Sequence, residues 1–245
     1  MIGRSGIIAR RELLAFAVTP VTWITLGSAL ALSAWLASGN ALVASSGDLS
    51  GFTMLSCGIW LGMQMYLAPM LSMRLLSEER RSGTFEALVT APVSDAEVVV
   101  GKFVAAWCVH ALGATVVALW PLIGLAADGR PDAGQMFSAW LGLVGTSSIF
   151  LAAGTFASSL TSSQMLAGFL AMAFCLLLRF LPSVVLQTLS EDHLLARALT
   201  KASLESQMRD AARGILDAVN IAYQLSVTAA LLLFATRTLE SRRWQ

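Results

Sequence analysis

The feature that most constrains this sequence is how long it runs without charge. No Asp, Glu, Lys or Arg occurs from Leu13 to Gly47, Leu49 to Met73, Phe103 to Ala127, Ala133 to Leu178, or Ala218 to Thr236. A helix needs roughly 20 predominantly apolar residues to cross a bilayer. Within lipid the backbone must satisfy its own N–H and C=O groups, so each run is expected as a helix. Over the whole chain 13% of residues are charged and 56% are hydrophobic. A soluble domain carries about 25% charged residues, so there is too little charge here to cover a water-facing surface. The expected fold class is an all-α integral membrane protein, a single membrane domain over residues 1–245.

The punctuation within these runs predicts six spans. Thr19-Pro20 is a corner, and Gly39-Asn40 closes a first span over 20–38. The second run gives 52–75, with Pro69 as an expected kink and Gln64 as a polar group that should face protein. Ser94-Asp-Ala-Glu97 has capping-box spacing directly before Val98-Val-Val100, so a third span is expected over 100–127. The longest run must hold two helices. The cluster Ser158-Ser-Leu-Thr-Ser-Ser-Gln164 divides it into 136–157 and 164–181, with Pro182 as the expected stop. A sixth span follows over 217–237. Between the last two, Leu194, Leu195, Ala198, Leu199 and Ala202 recur at helical spacing among charged residues. That pattern predicts an amphipathic helical segment outside the bilayer. Residues 5–16, with Arg4 just before them, mix Ile7, Ile8, Leu13, Leu14 and Phe16 with Arg10, Arg11 and Glu12, which predicts an interfacial N-terminal helix. The first residues lack a cleavable signal pattern, so the N-terminus is expected to be retained.

Six spans place both termini on one side. That side carries Arg4, Arg10, Arg11, Arg74, Arg80, Arg81, Lys102, Arg237, Arg242 and Arg243. The other carries Arg130, Arg197, Lys201, Arg209 and Arg213, all but one in the long loop. Short basic loops stay in the cytoplasm, so cytoplasmic termini are expected. Arg179 falls just before Pro182 and is expected to anchor the outer end of the fifth span by snorkelling.

Several chemistries are missing. Gly101-Lys102 is followed by Phe103 and position 96 is Ala, so no phosphate-binding loop is present. His110 and His193 have no Cys or His at ligand spacing, and each reads as a satisfied polar or surface histidine. Cys57, Cys108 and Cys175 are scattered through apolar runs and read as packing residues. A net charge of +1 gives no bulk attraction to nucleic acid. No catalytic site, metal or directly bound cofactor is expected.

Charge is instead concentrated between the second and third runs, where Arg74, Glu78, Glu79, Arg80, Arg81 and Glu86 crowd together. Gly83 permits a sharp reversal and Pro92 stops a helix. Between them Phe85, Leu88 and Val89 stand at i, i+3 and i+4, one apolar face suited to a partner's groove. The surrounding charges would set orientation more than affinity. A solvated loop that merely anchors topology is the alternative.

The stretch Ser77-Glu-Glu-Arg-Arg-Ser-Gly-Thr-Phe-Glu-Ala-Leu-Val-Thr-Ala-Pro-Val-Ser94, with Glu97 and Gly101-Lys102, resembles the cytoplasmic signature of ABC-2 type transporter permeases. Its Glu-Glu-Arg-x-x-Gly-Thr-x-Glu core falls on Glu78, Glu79, Arg80, Gly83, Thr84 and Glu86. Arg213-Gly-Ile-Leu-Asp217, Tyr223 and Glu240-Ser-Arg-Arg-Trp244 look like the gliding-motility (GldF-like) branch, with the copper-related NosY-like branch nearby. The resemblance implies that the 78–92 stretch is a coupling helix docking on a separate ATPase dimer, with ATP and magnesium held by that partner. It also implies a second permease copy or a paralogue, membrane lipid around the spans, an extracytoplasmic accessory protein, and residence in a bacterial inner membrane. The implied function is a permease that turns ATP hydrolysis into transport. The alternative is a non-transporting, force-transmitting anchor of an envelope machine. Arg179, Arg213 and Asp217 are expected as structural residues on the outer side.

Overall fold

The computed structural model describes residues 2–38, 49–78, 94–127, 130–187 and 194–242. Among them are nine α-helices, one 3-10 helix and no strand. They are α1 (Ile2–Val18), α2 (Pro20–Ser38), α3 (Leu49–Ser72), α4 (Asp95–Ala118), α5 (Ala133–Leu160), α6 (Gln164–Leu186), α7 (Leu194–Ala202), α8 (Leu204–Ala212) and α9 (Ala218–Arg242). Six are long and apolar enough to cross a membrane: α2, α3, α4 with its 3-10 extension, α5, α6 and α9. The fold is that of an all-α membrane protein.

Helix α5 is the centre of the bundle and packs on α3, α4, α6, α8 and α9. In its most apolar window 67% of residues are buried, against 17% in α6 and 22% in α9. Its glycines admit the neighbours closely. Gly142 abuts Ala211 and Met208 of α8, Gly145 abuts Gln224 of α9, and Gly154 abuts Ser72 of α3. Close backbone approach of this kind drives helix association where lipid offers no hydrophobic contrast. Polar side chains add cross-links. Gln64 is fully buried; its Nε2 donates to the Leu143 carbonyl at 2.9 Å and its Oε1 accepts from Thr146 at 3.1 Å. Trp107 donates to the Val144 carbonyl at 3.1 Å, and Ser148 pairs with Thr228 at 2.9 Å.

Local chemistry sets the ends. Ser163 caps α6, and Thr161 to Ser163 separate it from α5. The α-helical part of the third span ends at Ala118, not at 127. A 3-10 helix continues over Trp120–Ala127, because Pro121 has no N–H to extend the ladder. Helix α3 runs through Pro69 and unwinds after Ser72 into a turn over residues 73–76.

A further expectation needs correction. Pro182 does not end the fifth span: α6 continues through it to Leu186. Proline's fixed φ is helical, and in an apolar setting continuing the helix keeps the remaining backbone groups paired. The segment before the sixth span is helical, as its amphipathic pattern predicts, and its second helix packs on the bundle. Helix α8 packs on α3 and α5, with Leu204, Gln207, Met208, Ala211 and Ala212 buried. Its contact at Gly142 lies about 13 Å along α5 from Ala133, at 1.5 Å per residue. Small residues at Gly142, Ala211 and Ala212 create that room, and a one-dimensional hydrophobic pattern does not reveal it.

Candidate functional site

The charged stretch that resembles a coupling helix falls mostly outside the described residues. That holds for Glu79, Arg80, Arg81, Gly83, Thr84, Phe85, Glu86, Leu88, Val89 and Pro92. The structure describes what holds this stretch at each end.

On the leaving side, α3 gives way to a turn and then to helical Ser77 and Glu78. This exit is tied to the far end of α5. The Ser158 hydroxyl accepts from the Leu76 amide at 3.0 Å and from the Ser77 amide at 3.1 Å, and donates to the Met73 carbonyl at 3.3 Å. Ser77 itself donates to the Met73 carbonyl. Leu76, Ser77 and Ser158 are all buried, so these bonds satisfy backbone groups that water does not reach. Glu78 is exposed.

On the returning side, Ser94 and Glu97 form a complete capping box. The Ser94 amide donates to Glu97 at 3.0 Å, and the Glu97 amide donates to the Ser94 hydroxyl at 3.3 Å. Asp95 and Glu97 also place negative charge in the first turn, where the helix dipole favours it. One turn on, α1 clamps α4. Ile8 and the Ser5 carbonyl press on Gly101, where a Cβ would come within 2.9 Å of both. Lys102, with only 4% of its side chain exposed, reaches Glu12 of α1 at 3.1 Å, and Arg11 flanks the same carboxylate at 2.8 Å. Burial alone would raise the Glu12 pKa; the Lys102 and Arg11 charges outweigh it and hold the carboxylate below its ordinary value.

Helix α1 also closes the gap between the two ends. Glu12, Phe16 and Thr19 share a cavity of about 220 Å³ with Arg74, Leu75 and Glu78. Its other side presents Ile7, Leu14 and Val18 outward at helical spacing. The exit of α3, the start of α4, the end of α5 and α1 thus form one assembly bracketing residues 79–93. Glu12, Gly101 and Ser158 belong to that assembly, a contact role that their places in the interfacial helix, the Gly101-Lys102 signature and the polar break between spans did not reveal. Glu12–Lys102 and Ser158–Leu76 join residues far apart in the chain, so no local spacing signals them.

The remaining expected residues lie elsewhere. Arg213 caps the C-terminus of α8, its amide donating to the Arg209 and Asp210 carbonyls at 3.1 Å, and its side chain is exposed. Gly214 follows at φ +87°, a left-handed value that only glycine adopts freely. Asp217 opens α9: it accepts from the Val219 amide at 2.9 Å and binds Lys201 at 2.7 Å, both of which lower its pKa. These two residues shape the junction between α8 and α9. Arg179 does not snorkel away from the bundle; its guanidinium turns inward towards Gly62 near the middle of α3. His110 is fully buried edge-on to Trp60, with no hydrogen-bond partner for either ring nitrogen among the described residues, which corrects its reading as an ordinary satisfied or surface histidine. His193 lies outside them. Cys57 and Cys175 are buried free thiols. No cluster of metal-ligating side chains occurs among the described residues.

The described residues form a helical bundle with six helices long and apolar enough to cross a membrane. The chain belongs to the ABC-2 family of transporter proteins, whose family model (ABC-2 family transporter protein) matches residues 40–241. It is a permease component of an ABC transporter and a multi-pass membrane protein. No curated protein gave a match.

Proposed function

We propose that this chain receives the work of ATP hydrolysis from a separate ATPase dimer through residues 78–92 and passes it to the spans. The observation that carries this reading is the bracing on both sides of the stretch. A push on it meets α3 held to α5 by Ser158, and α4 held to α1 by Glu12–Lys102. Slack connections would absorb a displacement; buried, hydrogen-bonded ones transmit it. ATP and magnesium stay on the partner. The termini and residues 79–93 lie in the cytoplasm of a bacterium, with the α8–α9 junction on the opposite face of its inner membrane. A second copy or a paralogue covers part of the exposed apolar surface of α6 and α9. An accessory protein on the outer face accords with the same reading.

The test is ATPase stimulation. Adding the membrane domain to its ATPase raises hydrolysis, and Phe85→Asp or Glu86→Arg abolishes the rise while the domain still folds. Unchanged stimulation in both variants refutes the docking assignment. The resemblance of residues 213–217 and 240–244 to the gliding-motility branch favours a second reading, a force-transmitting anchor that moves no solute. Reconstituted liposomes separate the two, since only a transporter moves solute or lipid when ATP is supplied.

A further inference from the structure

A cavity of about 580 Å³ opens between α3, α6 and α8. That volume is in the range of small-molecule sites, about 300–1,000 Å³. Its α3 wall is a stripe at helical spacing that includes Met54, Leu55, Gly58 and Ile59, and Met208 of α8 faces it. A Cβ at Gly58 would meet nothing within 4 Å, so the glycine leaves open room. The lining is apolar except for Arg179, Glu205 and Arg209, of which Glu205 and Arg209 are exposed.

Arg179 is the anomaly. Its Nε and Nη1 are buried and have no hydrogen-bond partner among the described residues. A Cβ on Gly62 would lie 3.8 Å from Nη1. Gly62 sits about 20 Å along α3 from Leu49, at 1.5 Å per residue, so this guanidinium stands near the midpoint of a span. Among the described residues its aromatic contact is with its neighbour Phe180, the guanidinium carbon lying 5.4 Å from the ring centroid. A guanidinium is always charged and offers five donors. Leaving it unpaired at this depth is costly, and an anion in the cavity offsets that cost with charge-assisted hydrogen bonds. With one carboxylate against two guanidinium groups, the lining carries a net positive charge.

We infer that this cavity binds an anionic amphiphile, whose carboxylate or phosphate head meets Arg179 and whose hydrocarbon tail lies along the Met54–Ile59 stripe. The site is separate from the docking stretch, so either assignment can fail without the other.

The test uses the full chain in nanodiscs of phosphatidylcholine, with fluorescent cis-parinarate as probe. Saturable binding is expected, with oleate displacing the probe about 10- to 100-fold better than oleyl alcohol, the worth of hydrogen bonds to a charged group. Arg179→Gln weakens oleate by the same factor and leaves oleyl alcohol unchanged, whereas Arg179→Lys keeps most of the preference. Gly58→Leu fills the room and weakens both. Displacement by phosphatidylglycerol identifies a lipid head, and displacement by oleate alone identifies a free acid. The inference is overturned if acid and alcohol compete equally in the native chain, a comparison that needs no variant. It also fails if neither anion displaces the probe, if folded Arg179→Gln binds oleate as the native chain does, or if Gly58→Cys forms a disulfide between two copies and no probe binds.

Discussion

Replacing Ser158 by alanine tests whether the exit of α3 is held by α5. The hydroxyl accepts from two amides, at 3.0 and 3.1 Å, and donates at 3.3 Å to a carbonyl of the same turn. Ser158 and Ser77 are 0% exposed and Leu76 is 2% exposed. Water therefore cannot take over as acceptor without opening the site. Each buried donor left unsatisfied costs about 1–3 kcal/mol. The two amides share one oxygen, so their joint loss is about 2–3 kcal/mol. Local opening free energies appear directly in amide exchange. Exchange of residues 74–78 should therefore accelerate by roughly 30- to 150-fold, while the cores of α5 and α6 keep their protection. Hydrogen–deuterium exchange mass spectrometry of the purified domain reads both regions at once. Stimulation of the partner ATPase should fall in the same variant, because the connection has gained slack. If the 74–78 peptides exchange as in the native chain, Ser158 is not the tie, and the bracing argument loses its α3 arm.

Two further outcomes follow from the geometry. Glu12 is held below its ordinary pKa of 4.5 by Lys102 and Arg11. Its contribution to stability is therefore complete above that value and is lost as the pH falls below it towards the folded-state pKa. Melting temperatures of the native chain and Glu12→Gln should converge on acidification from pH 5 downward and differ most near neutrality; a constant difference would refute the assignment. Gly113→Ala drives a methyl to 2.6 Å from the buried Trp60 ring and 2.8 Å from Leu26, and should destabilise the domain by about 1–3 kcal/mol. Gly27→Ala meets nothing within 4 Å and should be neutral or stabilising by up to about 1 kcal/mol through helix propensity. Thermal unfolding of the two variants side by side checks the contrast.

The spans were legible because lipid leaves the backbone no alternative to helix, and charge-free runs mark where lipid lies. The Ser94–Glu97 cap was legible because a capping box is local. Gln64 could be placed against protein from its polarity alone, although its partners on α5 could not. What stayed hidden is non-local. Lys102 reads as one more cation on the side of the termini until Glu12 is brought beside it. Ser158 reads as part of a polar break between two spans, yet its partners are more than 80 positions earlier in the chain. Arg179 lies within reach of a helix end in the sequence. Which way it turns depends on the face of α6 that packs against α3, and on the glycines of α3 that leave it space.

The glycines of α5 also restrict how this domain can deform. Gly142, Gly145 and Gly154 point in different directions around one helix, at about 100° per residue, and each receives a different neighbour. Spinning α5 about its own axis would withdraw all three recesses from the groups seated in them and bring side-chain-bearing positions against α3, α8 and α9 instead. The central helix is keyed like a splined shaft. Force arriving at its Ser158 end is therefore spent in tilting or sliding α5 together with the helices locked to it, and not in turning it.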